Sequence, residues 1–330
     1  MNINILTPFL NHSFLRQISS SYNDQGYNFY EKSTADIFWD IVIVYEGINN
    51  ETSLNCKKNG LVFITGEAPW SNYYSSEFVR QFDHVITSHK RIKHPSKLLT
   101  QQSLPWHIGY DRKMKVYNSN IDSLRASTFP EKTKGISIIS STKRMMPGQR
   151  KRIKFIESLK KYFGSSIDYY GDGINPIDDK ASALIPYRFS ICIENFNIDD
   201  CWSEKISDPF LAYTQPIYFG CKNIFKYFPQ GSLQSIDINN KIDSFRIIEN
   251  TLNNLSAIYD SSLPLIVEAR DLIFERYNID KIILDLYCKL QLEKENNYQY
   301  HVLKKNEYFR GYKYGMGILR LKRLLLRPII

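Results

Sequence analysis

Short apolar runs rich in Ile and Val, each cut off by Gly, Asn or Asp, constrain this chain more than any other feature. In the first third they fall at Asn4–Leu6, Asp40–Tyr45, Leu61–Thr65 and His84–Thr87. They are continuous rather than alternating, so both faces of each strand are buried, as in a parallel sheet covered by helices. The segments between them are long enough for crossover helices, and Ser75–Gln81 is predicted to be one. The pattern is that of an α/β sheet.

Over Tyr117–Lys134 the rhythm lapses into Asn, Ser, Thr and Pro, which predicts an interdomain linker. A second unit then begins. Strands are expected at Ile136–Ile139, Ile167–Tyr170, Phe189–Ile193 and Pro216–Phe219. A basic amphipathic helix is expected at Gln149–Phe163, with Ile153, Ile156, Leu159 and Phe163 on one face, and another helix after Trp202. From Asp243 to about Leu292 the pattern is helical. Two doubly wound domains facing across a cleft are therefore expected: residues 1–125, residues 126–300, and a tail at 301–330. In such sheets ligands bind beyond the carboxyl ends of the strands. Neither a G-x-G-x-x-G turn nor a G-x-x-x-x-G-K-[ST] loop is present, so any phosphate must be gripped by other means.

Charge and cysteine usage narrow the function class. Of the formal net charge of +9, the segment Lys304–Ile330 carries +7, from eight basic residues against Glu307 alone. The nearly neutral body argues against nucleic-acid binding, which favours a basic folded face. The five cysteines (Cys56, Cys192, Cys201, Cys221 and Cys288) show no metal-ligand spacing and read as reduced thiols. Met1–Leu10 lacks the basic start of a signal peptide, and no apolar run approaches eighteen residues, so a cytoplasmic protein is expected.

The densest chemistry lies in Tyr187–Pro229, YRFSICIENFNIDDCWSEKISDPFLAYTQPIYFGCKNIFKYFP. A buried strand ends in the polar pair Glu194-Asn195. After a polar loop, Ser203 occupies an N-cap position with Glu204 and Lys205 in the first turn. A helix N-terminus offers free N–H groups to a diphosphate. Lys205 opposes the helix dipole there unless an anion sits nearby, so it points to one; a solvated Glu-Lys pair is the plainer reading.

Taken together, Tyr187, Phe189, Glu194, Asn195, Glu204, Lys205, Ile206, Pro216, Tyr218 and Gly220 resemble the signature of the family 10 glycosyltransferases, the α-1,3/4-fucosyltransferases, of bacterial type. The stretch ISSTKRMMPGQRKRIKFIESL, ending at Leu159, and D-x-Y-G at Asp168–Gly171 resemble further family blocks. Thr65-Gly66-Glu67-Ala68-Pro69 resembles the family's acceptor-side E-x-P segment.

The resemblance implies a GT-B fold: a Rossmann-like acceptor domain, a Rossmann-like nucleotide-sugar domain and an amphipathic C-terminal tail. It implies an inverting transfer of fucose from GDP-fucose to a hydroxyl of an oligosaccharide or glycolipid acceptor, in lipopolysaccharide O-antigen or capsule synthesis, with no metal required. Glu67 would be the catalytic base, or else a loop-capping carboxylate. Arg152, with Arg150 as its competitor, would hold the diphosphate together with Ser203 and Lys205. Glu204 would hold the ribose and Asn195 would orient the sugar donor. Trp202, counted with the donor-binding residues, stands where the family often has Tyr and keeps a stacking or apolar surface without the hydroxyl; Cys201 stands where the family has Gly, and Pro209 falls inside the expected helix. These departures leave room for another nucleotide sugar. A non-enzymatic membrane or nucleic-acid binder is a third reading, resting on the basic charge alone. Asp178-Asp179 and Asp199-Asp200 read as loop or capping carboxylates, and His107 either lines the acceptor side or is an ordinary loop residue.

In the tail, Arg320, Arg323 and Arg327 recur at i, i+3 and i+7, with Ile318, Leu321, Leu324 and Leu325 on the other face. Residues 311–327 thus predict a helix lying on an anionic membrane surface, at the inner face of the membrane. Packing back onto the protein is the alternative.

Overall fold

The computed structural model describes residues 1–9, 13–69, 71–290, 292 and 297–325. The chain folds as two compact units, Met1–Pro105 with Tyr277–Ile330, and Trp106–Arg276.

The first unit opens with β1 (Asn2–Leu6), α1 (Ser21–Asp24), β2 (Asn28–Glu31), β3 (Phe38–Trp39), β4 (Ile41–Tyr45), β5 (Thr52–Lys57), β6 (Leu61–Ile64), α2 (Ser76–Val79), β7 (His84–Thr87) and β8 (Lys97–Leu99). Six of these strands form a parallel sheet in the order β2-β1-β4-β6-β7-β8. Side chains alternate between two cores. Ile41, Ile43 and Tyr45 enter one face of the sheet, and Val42 and Val44 enter the other. This two-sided burial is what the continuous apolar runs require.

The second unit begins with a small hairpin, β9 (Tyr110–Asp111) and β10 (Val116–Tyr117), and α3 (Ile121–Ala126). Then come β11 (Lys134–Ile139), α4 (Pro147–Phe163), β12 (Ile167–Tyr170), β13 (Tyr187–Ile193), α5 (Glu204–Leu211), β14 (Gln215–Phe219), β15 (Gln234–Ser235), α6 (Lys241–Asn253) and α7 (Leu255–Glu275). Its parallel sheet runs β12-β11-β13-β14-β15. The strand order reverses between β11 and β13, so the carboxyl ends of those two strands open the crevice where a doubly wound sheet binds its ligand.

The chain then returns to the first unit with α8 (Ile279–Lys289), β16 (Tyr298–Leu303) and α9 (Arg310–Leu325). Ile279 and Ile283 of α8 complete one core of the first sheet, while β16 pairs antiparallel with β5 and places Leu303 in the other core.

These units depart from boundaries at residues 125 and 300. Residues 106–125 join the second unit, because Trp106 packs edge-on to Phe274 at 5.7 Å and Asp208 accepts the His107 and Ile108 amides. Within the expected linker, Asn120 caps α3 through a capping box.

Candidate functional site

At the switch point of the second sheet, β11 hands over to Ser140-Ser141 and β13 to Glu194-Asn195. Arg152 reaches this point from α4 and is only 6% exposed. Its Nη1 donates to Asn195 Oδ1 at 2.6 Å, and its Nη2 donates to the Ser141 carbonyl at 3.2 Å and Ser141 Oγ at 3.4 Å. Gly148 lets α4 approach so closely, since a Cβ there would stand 1.7 Å from the Asn195 carbonyl oxygen. Among the described residues Arg152 makes no ion pair within 4.0 Å, and its buried Nε has no hydrogen-bond acceptor. Burial depresses its pKa, and the nearby Glu194 and Glu204 oppose that shift. A buried guanidinium with a spare donor is suited to a polyanion. Arg150 also keeps two buried donors without an acceptor, Nε and Nη2, but it is only half-buried and its Nη1 donates to the Arg144 and Met145 carbonyls; what sets Arg152 apart is its deeper burial and its bond to Asn195.

Glu194, 1% exposed, organises the start of α5. Its Oε1 accepts from Ser203 N at 2.8 Å and Ser203 Oγ at 2.6 Å. Ser203 is the N-cap, as its sequence position implied. Lys205 Nζ lies 3.3 Å from Glu194 Oε2, 3.2 Å from Glu204 Oε1 and 3.1 Å from Ser203 Oγ. Burial alone would lower the Lys205 pKa, but the Glu194 and Glu204 carboxylates outweigh it and raise the ammonium above its usual range. The anion that Lys205 called for at a helix N-terminus is therefore already supplied by these two carboxylates.

Two further participants, Lys180 and Asp208, were not legible in the sequence, and they join His107 around Glu204. Lys180 pairs with Asp208 at 2.8 Å and Glu204 Oε1 at 3.5 Å, and His107 Nδ1 lies 3.8 Å from the same Glu204 oxygen. Burial opposes ionisation of Glu204, yet Lys205, Lys180 and His107 hold its carboxyl well below the usual range. Lys180 follows an acidic pair and Asp208 precedes Pro209, and neither context marks a site. His107, left between an acceptor-side and an ordinary loop residue, lies in the second unit beside Glu204. Of the stacking and apolar readings of Trp202 the structure has the apolar one: it is 4% exposed and packs against Phe228 and Tyr227, with ring centroids 5.2 and 6.0 Å away. Pro209 does not end α5, which continues to Leu211. Asp179 caps the Ala181 amide, and Asp200 accepts from Asn223, Lys226 and Tyr227. Among the described residues, no three His, Cys, Asp or Glu side chains gather as a metal site would require.

In the first unit Glu67 follows β6, with its side chain exposed. The loop-capping carboxylate here is a different one, Glu46 after β4. Its Oε2 accepts from Gly66 N at 2.7 Å and Glu67 N at 2.9 Å, and its Oε1 accepts from Asn72 Nδ2 at 2.8 Å.

The tail helix α9 packs on the same unit. Gly315 lies against Tyr73, Leu319 is 7% exposed, and Arg323 Nη2 donates to the Ser71 carbonyl at 2.7 Å. Arg323 therefore faces the protein and does not share a cationic face with Arg320. Arg327 and the Leu325 side chain lie outside the described residues. Tyr314, Ile318, Leu321 and Leu324 point outward, each at least half exposed. No helix among the described residues is long and apolar enough to cross a membrane.

Comparison with known proteins bears on the family and the fold. Residues 129–260 match the model of glycosyltransferase family 10 (fucosyltransferase), C-terminal part. No curated protein matches the sequence. Among solved structures, an alpha1,3-fucosyltransferase with GDP-fucose aligns with a TM-score of 0.52 at 17% identity, over 90% of this chain and 91% of that one. The alpha1,3-fucosyltransferase with GDP gives 0.51 at 18%, over 89% and 90%. An alpha-glucosyltransferase in complex with UDP-glucose and abasic DNA gives 0.51 at 9%, over 89% and 100%. These likenesses show the GT-B fold.

Proposed function

We propose that this chain, a glycosyltransferase belonging to family 10, transfers fucose from GDP-fucose to a hydroxyl of an oligosaccharide or glycolipid acceptor. The observation that carries the reading is Arg152, a buried cation bonded to Asn195 at the switch point, within the segment that matches the family. The reaction is a single displacement with inversion. The acceptor oxygen forms its bond to C1 of the sugar as the bond from C1 to the GDP oxygen breaks, and the hydroxyl proton passes to Glu67. Charge accumulating on the departing diphosphate is met by Arg152, by Lys205 and by the N-terminus of α5. Glu204 holds the ribose, since its ionic contacts among the described residues fall on Oε1 and leave Oε2 to a hydroxyl. The scheme requires no metal.

The outward face of α9 supports docking on the inner face of the membrane, in surface-polysaccharide synthesis. Tyr314, Ile318, Leu321 and Leu324 would enter the interface, with exposed Lys313, Arg320 and Lys322 meeting anionic headgroups. Ending the chain at Lys305 should then abolish sedimentation with anionic liposomes; unchanged sedimentation would refute the docking.

The sugar donor is tested by thermal-shift titration against GDP, UDP, CMP, GDP-fucose and GDP-mannose. A ligand at one hundred times its Kd stabilises the native state by about 2.7 kcal/mol. Shifts with GDP and GDP-fucose that vanish in Arg152→Ala support the reading. A response to UDP or CMP alone would assign a different nucleotide sugar.

A further inference from the structure

Three adjacent strands of the first sheet, β4, β6 and β7, each release one functional group at the same carboxyl edge: Glu46, Glu67 and His89. Glu67 stands in the middle. Its N–H donates to Glu46 Oε2 at 2.9 Å, and its carbonyl accepts from His89 Nε2 at 2.7 Å. The register that lines them up is continuous, with Tyr45 opposite Ile64 and Ile64 opposite Ile86. Both clamping residues are interior, at 8% exposure for Glu46 and 6% for His89, whereas the side chain they frame is exposed.

We propose that Glu46 and His89 are positioning residues that fix the backbone of Glu67 on both sides and aim its carboxylate at the acceptor hydroxyl. The inference rests on Glu67 being the base. Three features support it. Glu46 holds a left-handed backbone, φ +68°, which an L-residue keeps only when its surroundings over-determine it, and such strain gathers at functional sites. A side chain at Gly66 would press on Tyr45 at 2.7 Å and on Glu46 Oε2 at 3.2 Å, so the backbone is drawn against the carboxylate as closely as glycine permits. The same carboxylate also takes Asn72 Nδ2, tying the far end of the loop to the clamp. His89 must carry its proton on Nε2 to donate to a carbonyl. A neutral ring suffices for that, and burial keeps it neutral by pushing the imidazole down to about 4.

The test uses the full chain, with GDP release from GDP-fucose in the presence of mixed oligosaccharide acceptors, and amide hydrogen exchange at Gly66 and Glu67. Glu46→Ala should quicken exchange at both amides. It should also lower kcat by about 100-fold, the scale of loss when a reacting group is misplaced by an ångström, and leave KM for GDP-fucose unchanged. Glu46→Gln keeps an acceptor for the two amides and should stay within about fivefold of the parent kcat, which excludes simple misfolding as the cause in the Ala variant. In a Glu67→Gln background Glu46→Ala should cost nothing further. Unchanged exchange in Glu46→Ala, or a kcat within threefold of the parent while Glu67→Gln is inactive, overturns the proposal. A Glu67→Gln enzyme that stays active refutes the base itself, and the clamp then stands or falls on the exchange result alone.

Discussion

The two units secure their key groups with different emphasis. In the second, beside bonds to the Ser141 and Ser203 backbone, side chains hold the charged side chains themselves: Arg152 to Asn195, Glu194 to Ser203 and Lys205, Glu204 to Lys205 and Lys180. In the first, buried side chains hold backbone, and the group presented, Glu67, is left exposed. Under the proposed function the difference fits the task. Stabilising charge on a departing diphosphate needs several donors fixed in advance in a dry setting. Accepting one proton needs a single accessible carboxylate held in place.

The contrast is broken most severely at Arg152. Arg152→Ala should cut kcat/KM for GDP-fucose by about 10³-fold, the scale for losing a preorganised donor, and Arg152→Lys should not restore it, because an ammonium cannot reach Asn195 and Ser141 together. Steady-state kinetics on the two variants would show this, and activity restored by Lys would reduce Arg152 to a point charge.

Next in size is the pH effect that His89 contributes in the first unit. Burial pushes His89 down to about 4 from an ordinary 6.5, so the unfolded chain binds the extra proton between those values. The His89 contribution to stability is therefore full above about pH 6.5 and is lost as pH drops toward 4, while the neighbouring Glu46 carboxyl, raised by burial, acts in the opposite sense. The His89 total is about 3 kcal/mol, from roughly 1.4 kcal/mol per pKa unit. Denaturant unfolding between pH 7 and 4 should lose much of its slope in His89→Gln; an unaltered slope would assign the acid sensitivity elsewhere.

Gly66→Ala sharpens the comparison by pressing a methyl group on Tyr45 and Glu46. It should cost about 1–3 kcal/mol, as overpacking does, and lower kcat while sparing the GDP thermal shift. A lost GDP shift would mean that the two sites are not independently built.

The smallest effect lies on α9. Exposed Lys322→Gln should weaken anionic-liposome binding by about 1 kcal/mol, roughly fivefold, whereas Arg323→Gln should weaken it little, because Arg323 is turned to Ser71. Equal losses in cosedimentation would place both cations at the membrane.

Much of the second unit was legible because its site is contiguous in sequence. One strand, one loop and one helix N-terminus deliver Glu194, Asn195, Ser203, Glu204 and Lys205, and the Ser203 cap follows from local rules. Lys180 and Asp208 were not, nor was the partner of His107, because a charged residue in a loop or helix gives no local sign of which group it will meet. Trp202 was left between two readings for a related reason: an aromatic beside a polar motif is as ready to fill a core as to stack on a ligand, and Tyr227 and Phe228 decide between these. In the first unit Glu67, the base under the proposed function, was singled out from its segment, but the Glu46 carboxylate that holds its amide lies twenty-one residues earlier, just after a neighbouring strand.

By itself the sequence determined that buried parallel strands alternate with helices in two sheets, that a polar constellation ends β13, and that a cationic amphipathic helix closes the chain. Periodicity and capping are local, so they can be read locally. The tertiary structure alone decided that α8 and β16 complete the first core, that Arg323 turns inward, and that Glu46 and His89 meet at Glu67. Those outcomes depend on which strands become neighbours and which apolar faces need covering, and burial on that scale is settled by the whole chain at once.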